Sequence, residues 1–462
     1  MLVTLRYLFA ISFVVCLWMP FSHAGQGVSI TQNEQRYYLN FRGYDNLGMQ
    51  DAGGKRLEQT AVDVKLGLRV RYNLNADWLL HVDSRVVSLG KNIYKRENSK
   101  FSSETYLEIK RLYVSKNRIF GYAPSLSLHV GRQTFRDNNS WNYDTELDAV
   151  KLEFERTLLQ WQFAYGGRLF SYRLGDNEFN LNIEDSRFLL AELKYQWYFK
   201  HYIGIYGLNE RNSVAENQTG QSFAADEIIQ PRSRLNWLGV QAYGERAFGR
   251  GAFEYSGTLA VLSGDTQKLS ISTQADNNRY ITSYENQTLR NGIAVDMRFI
   301  WRATAQGFSV GIGYASASGD DNGKTLSQYN QSGIASNKKR VLGASRYRYY
   351  GEALNPKLSN LHIITLTAGY PLSPFFWFES AYHRYRQDKA LPYIDASSPG
   401  LAPNGQSNEI GQGLDFIFGG ALRRNQQAQL ILSGFWGGKA FDETISKKTI
   451  YRALVNYRVF FQ

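Results

Sequence analysis

Lys65, Arg69, Arg71, Lys194, Arg298, Arg302, Arg452 and Arg458 each sit between two apolar neighbours. Isolated cations at such positions do no covalent chemistry. They bind or attract anions, and rings of Arg and Lys do so in pores. Asp63, Asp83, Glu192 and Asp296 occupy equivalent positions. The alternative is therefore that the charges pair off and stiffen a wall, but the excess of bases favours anion conduction.

Other chemistries find little support. The histidines beyond the leader, His81, His129, His201, His362 and His383, are scattered without metal-ligand spacing. The one Gly-x-Ser-x-Gly string, 307–311, falls in an alternating strand pattern and not at a strand-to-helix turn, so it marks no nucleophile. His81 and Asp83 resemble a dyad only by sharing a strand face. The one cysteine, Cys16, lies in an N-terminal apolar run that ends in the small-residue site Ser22-His23-Ala24. The expected leader is 1–24, which leaves a chain without thiols. No enzyme activity, metal or cofactor is expected.

The element that must position these cations is a strand. Over 62–74, Val62, Val64, Leu66, Leu68, Val70, Tyr72 and Leu74 share one face, and Asp63, Lys65, Arg69 and Arg71 share the other. A soluble sandwich turns the apolar face inward. A transmembrane barrel turns it to lipid and keeps the charges in a wet lumen. Negative mean hydropathy excludes a polytopic helical protein, and 31 tyrosines suit interfacial girdles. Trp78, Trp161, Trp197 and Trp301 end or start apolar faces, as interface anchors do.

The same rhythm recurs to the C-terminus, with no linker or break in composition. The fold class is all-β: a transmembrane antiparallel β-barrel of about 18 strands forming one domain, 25–462. Short periplasmic turns alternate with long extracellular loops, the longest expected over 263–291 and 317–360, with a polar loop to about 104. Both termini then face the periplasm of a bacterial outer membrane. Arginine at lipid-facing Leu68 or Val295 is expected to cost more than at lumen-facing Gly67 or Ala294. The net charge of +12 is spread singly over inward faces, which argues for an anionic solute and against nucleic acid.

Two blocks, GRQTFRDNNSWNYDTELDAVKLEFERTLLQ (131–160) and SRYRYYGEALNPKLSNL (345–361), resemble the bacterial alginate export family. Weaker echoes follow in NWLGVQAYG, GIGYASASG, AYHRY, IGQGLDF and YRALVNYRVFF. The resemblance implies an 18-strand barrel that exports an acidic polysaccharide through an arginine-rich constriction. By position it implies constriction roles for Arg111 and Arg346, a paired acid at Asp144, and a further arginine near Arg69, one residue out of register. Arg132, Arg136, Arg348 and Arg173 join them as pore candidates, beside Arg298, Arg302 and Arg452.

The chain departs from the family pattern in several places. Thr134 replaces a basic residue, Ser171 and Gly175 replace acids, and Leu430 and Leu432 stand where two basic lumen positions are expected. The family's long periplasmic loop shrinks to about 419–427, which puts a plug role for it in doubt.

The reading is a passive, anion-selective outer-membrane channel for an acidic exopolysaccharide such as alginate. An anion-selective solute porin is its rival, and an envelope enzyme or adhesive barrel fits less well. The expected partners are the polysaccharide, outer-membrane lipids and periplasmic components of a secretion complex, with the barrel itself a monomer.

Overall fold

A computed structural model describes residues 34–47, 57–95, 98–121, 125–169, 173–174, 186–212, 222–223, 232–273, 280–304, 307–320, 325–343, 345–395, 403–441 and 449–461. The expected leader lies outside the described residues, as do Ser171 and Gly175.

Eighteen strands form the barrel. They are β1 (Glu34–Leu47), β2 (Leu57–Asn73), β3 (Trp78–Lys95), β4 (Asn98–Lys116), β5 (Leu126–Arg136) and β6 (Asp144–Glu155). Next come β7 (Leu159–Gly167), β8 (Ser186–Tyr198), β9 (His201–Asn212), β10 (Ser233–Phe248), β11 (Gly251–Thr273) and β12 (Tyr280–Arg302). The last six are β13 (Ser309–Ala317), β14 (Leu361–Ser373), β15 (Phe376–Gln387), β16 (Glu409–Arg423), β17 (Gln426–Gly437) and β18 (Thr449–Phe461). Each pairs antiparallel with its chain neighbours, and β1 pairs with β18 from Tyr37–Phe461 to Leu47–Tyr451, so no edge remains.

Burial is inverted relative to a soluble protein. Outward Leu238 is 67% exposed and Ile312 52%, whereas inward Asp296 is 2% exposed. A belt of exposed aliphatics around a polar interior is stable only where lipid is the outer solvent. Trp78, Trp197 and Trp301 lie exposed at the turn-side ends of their strands, where the interface falls. Even-to-odd connections such as 199–200, 249–250, 374–375 and 424–425 are tight, and 318–360 and 388–408 lie at the other end. The short turns, with the Glu34 end of β1 and the Phe461 end of β18, therefore face the periplasm, and the barrel belongs to the outer membrane.

Three sequence expectations need correction. Most of 263–291 is strand, because β11 and β12 pair as far as Thr273–Tyr280. Likewise β3 and β4 pair to Lys95–Asn98 across the supposed polar loop. Beyond the bilayer neither face meets lipid, so both read as polar and the period-two signal fades. Leu430 and Leu432 stand on the face opposite their lumen-lining neighbours Gln429 and Ile431, so they displace no lumen charge.

The lumen-facing controls also fail. The Tyr38 ring lies over Gly67 where a side chain would go, and Ala294 is buried within the lumen filling. Thr134, which lines open space, is the tolerant site. Val295→Arg is expected to cost ~2–4 kcal/mol at the bilayer midplane and Thr134→Arg much less. Urea titration of folding into vesicles measures both, and equal losses would show that the faces are misassigned.

Candidate functional site

The barrel is not an empty tube. The segment 318–360 enters from the extracellular end and packs inside, burying Tyr329, Ile334, Leu342, Tyr347, Tyr350 and Leu358. Its centre is a short hairpin, Lys338–Arg340 paired with Arg346–Arg348. This filling supplies the hydrophobic core that an 18-strand ring lacks by itself.

Inward wall residues hold the segment. Arg302 donates to the carbonyls of Leu342 (2.7 Å) and Val341 (3.3 Å), and Glu379 accepts the backbone N–H groups of Leu342 (3.0 Å) and Gly343 (2.8 Å). Arg298 lies 4.3 Å from the centre of the Tyr349 ring, and Tyr350 donates its hydroxyl to Asp296. Arg452 donates to the Glu352 carbonyl at 3.1 Å, and the Glu352 N–H donates to Asp415 at 3.0 Å. Gly351 has φ +101° and passes so close to the Tyr385 hydroxyl that no Cβ fits there.

The 137–143 loop braces the segment. Trp141 stacks on Tyr329 at 6.0 Å and donates Nε1–H to the Tyr350 hydroxyl at 2.9 Å. Trp141→Ala removes both contacts and leaves a large void. It is expected to cost ~3–5 kcal/mol of seating free energy. A lower thermal midpoint with a noisier single-channel current is the expected readout, and an unchanged melt would show that the brace is dispensable.

The filling leaves a slot against the wall made by β1–β6 and β15–β18. A cavity of about 900 Å³ at its periplasmic end includes Tyr38, Arg69, Asp83, Arg111, Arg136, Arg340, Arg346, Trp377 and Phe460 in its lining. A further 370 Å³ includes Arg42, Lys65, Lys338, Arg348 and Glu352, and the two spaces share Arg85, Lys110, Arg346, Gln429, Asn456 and Arg458. Together the linings hold twelve Arg and Lys side chains against Asp83, Glu146 and Glu352, so the slot presents positive charge.

The local arrangement explains how the bases stay available. Asp83 lies opposite both Arg69 and Arg111 in the strand register. Its carboxylate accepts from Arg111 (2.7 Å), Arg69 (3.1 Å) and the Tyr38 hydroxyl (3.2 Å). Asp144 is held by Arg136 at 2.5 Å and Arg346 at 3.1 Å, with Ser336 donating at 2.5 Å. In each cluster two guanidinium groups share one carboxylate. The acid is covered and the bases are open: the Asp83 side chain is 3% exposed and that of Arg69 44%. Each cluster leaves one formal positive charge facing the slot.

The hairpin adds Lys338, whose ammonium is lowered to about 8 by burial and by Arg348 beside it. Lys339, lowered to about 8 by burial, donates to Asn139 at 2.8 Å and lines a separate space with Tyr202, Tyr243 and Tyr255.

The sequence profile of the family described as alginate export matches residues 35–454. The chain belongs to the alginate export family. The alginate production protein AlgE of Pseudomonas aeruginosa is 27% identical over 327 residues, 70% of this chain. AlgE of Pseudomonas syringae pv. tomato is 25% identical over 331 residues, 68% of this chain. The matched stretches span 65% and 64% of those relatives' own lengths. Among solved structures, Pseudomonas aeruginosa OccK7 (OpdD) superposes with a TM-score of 0.53 at 13% identity, covering 93% of this chain and 99% of that one. Acinetobacter baumannii OccAB2 superposes at 0.52 with 10% identity, covering 95% and 100%. These two show the shared barrel fold.

Of the residues singled out from sequence, Lys65, Arg69, Arg111, Arg136, Arg346, Arg348 and Arg458 line the slot of this alginate export family member, with Asp144 beneath. Arg132 is buried against Asp148, a two-pronged pair at 2.9 and 2.5 Å, and borders a small side space of about 80 Å³ instead of the slot itself. Arg298, Arg302 and Arg452 face inward but engage the inserted segment. The Arg173 backbone pairs with Glu108 on β4, and its side chain lies outside the described residues. Sequence reasoning missed Arg42, Arg85, Lys110, Lys338 and Arg340. Arg85 was legible, since it alternates with Asp83 and His81. Arg340 and Lys338 were not, because their segment carries no strand periodicity. His81 stacks on Tyr113 at 4.4 Å while Asp83 is taken by arginines, so the two form no dyad.

Proposed function

We propose that this protein is a passive, anion-selective outer-membrane channel that exports an acidic exopolysaccharide, alginate or a close relative, and that it is not an enzyme. The observation that carries the reading is the pair of two-arginine, one-carboxylate clusters facing the slot. A uronate chain entering from the periplasm loses hydration from its carboxylates. Fixed guanidinium groups compensate for that loss without reorganising, because each is already held by a covered aspartate. Two such clusters lining the slot let a carboxylate pass from site to site instead of trapping it in one. Family membership supports the polymer class, since the two relatives are named for alginate production. The barrel acts as a monomer and takes polymer from periplasmic secretion partners.

The test is channel block in planar bilayers. Oligomannuronate added on the periplasmic side is expected to interrupt chloride current at low salt, with longer residence for longer oligomers. Uncharged oligoglucose of equal length should not block. Equal block by both sugars, or none by either, would overturn polymer export and leave a porin for small anions.

A further inference from the structure

The outer wall carries a basic cluster that the channel does not use. At the extracellular ends of β8, β9 and β10, Arg187, Arg211 and Arg234 share the outward face. The registers set Arg187 opposite Arg211 and Arg211 opposite Arg234. With neighbouring strands ~4.8 Å apart, three guanidinium stems rise from a width of ~10 Å. Like charges directly opposite on a sheet are destabilising, and barrel closure has no need of them. Arg232 joins the three around an open depression of about 1190 Å³, and Asp265, opposite Arg234, ends the row with its carboxylate accepting from Thr288 at 3.0 Å.

The height of the row is informative. Arg187 and the exposed Trp197 lie at opposite ends of the outward face of β8, which is 13 residues long. The ten steps between them cover ~33 Å along the strand at ~3.3 Å each, or ~25 Å of height at a ~40° tilt, which equals the usual apolar band. With Trp197 at the periplasmic interface, the arginines fall where the headgroups of the outer leaflet begin.

Four residues along each strand below the row, the wall is troughed. Phe163, Ala191, Gly207 and Leu238 are adjacent across β7–β10. The outer two are 47% and 67% exposed, and a side chain at Gly207 would meet nothing. Two bulky residues flank two small ones, which leaves room for an acyl chain below the cations, past the intervening row of Leu189, Asn209 and Asn236.

We propose that this patch binds a phosphorylated glycolipid of the outer leaflet, with its phosphates across Arg187, Arg211 and Arg234 and an acyl chain in the trough between Phe163 and Leu238. Arginine forks match phosphate oxygens two at a time, and an anion bridging Arg211 and Arg234 offsets the repulsion between that facing pair. The face points away from the lumen, so exported polymer does not pass it. The inference stands apart from the proposed export function.

The experiment is native mass spectrometry of the delipidated full-length barrel in detergent, with bisphosphorylated lipid A as probe. Wild type is expected to retain this lipid through detergent exchange. It should hold the dephosphorylated lipid at least ~10-fold more weakly, and Arg211→Glu with Arg234→Glu should lose the phosphorylated lipid by a similar factor. Heat-modifiable migration confirms that the variant is folded, and Arg211→Gln with Arg234→Gln serves if it is not. Unchanged retention in the folded variant would overturn the site. Pyrophosphate alone binding as tightly as the lipid would make it a free-anion site, and displacement by oligomannuronate would make it a polymer site. Either result also overturns the proposal.

Discussion

Charge reversal at Arg111 and Arg346 is expected to turn the pore from anion-preferring to cation-preferring. Each arginine shares a carboxylate with a second one, Arg69 at Asp83 and Arg136 at Asp144. Replacing one arginine of each cluster by glutamate changes that cluster from a formal +1 to −1. Two unit charges 4 Å apart interact by ~4 kcal/mol at an effective dielectric near 20, so changes at the wall of a narrow slot outweigh distant charges. Reversal potentials under a salt gradient measure the effect. It should shrink as salt rises, because the Debye length is ~10 Å at 0.1 M.

Arg111→Gln with Arg346→Gln, which leaves each cluster formally neutral, should fall between wild type and the reversed variant. A pH dependence accompanies it. A lysine carries charge below its pKa and loses it above, so Lys338, with its pKa lowered to about 8, contributes to anion preference at pH 7 and stops doing so by pH 9. Wild-type selectivity should therefore weaken between those values, and Lys338→Met should shrink that step to what Lys339, also lowered to about 8, contributes. A cation-selective wild type, or a double Glu variant that behaves like wild type, would remove the filter and leave an undifferentiated porin.

Replacing 338–348 by a short Gly-Ser link is expected to raise single-channel conductance severalfold and to lower selectivity. The hairpin forms one wall of the slot, and β1–β6 with β15–β18 form the other. Eighteen-stranded rings enclose aqueous channels when nothing fills them. Excision also removes Lys338, Arg340, Arg346 and Arg348, so conductance and charge preference should move together. It removes the Val341, Leu342 and Gly343 backbone groups that Arg302 and Glu379 hold, and some loss of stability is expected. The anchors that join Glu352 to Arg452 and Asp415 are spared, because Glu352 lies beyond the excised stretch. Recordings from heat-modifiable, folded protein decide the matter. Conductance equal to wild type would show that current passes elsewhere and that the slot is not the pore.

The primary structure fixes the barrel by itself. Strict alternation over 62–74 and in β12 leaves an apolar face that only lipid can cover, because the other face is charged. The alternation of short and long connections sets the orientation, and the excess of single inward bases sets the sign of the lumen. Cross-strand pairs such as Arg69 with Asp83 follow once the register is known, since both faces are fixed by period two.

What alternation does not encode is which inward charges meet open space. Arg298, Arg302 and Arg452 read the same as Arg69 and Arg111 in sequence, yet the first three hold the inserted segment and the last two line the slot. The difference depends on contacts between residues far apart in the chain: Trp141 with Tyr350 across 209 positions, and Asp144 with Arg346 across 202. The segment 318–360 has neither strand nor helix periodicity, because its side chains answer to a curved interior wall and not to one flat face. Its place is decided by burying tyrosines and aliphatics against that wall, while backbone groups of Val341, Leu342, Gly343 and Glu352 find partners there. The tertiary structure alone therefore divides the inward bases into those that hold the filling and those that face the slot.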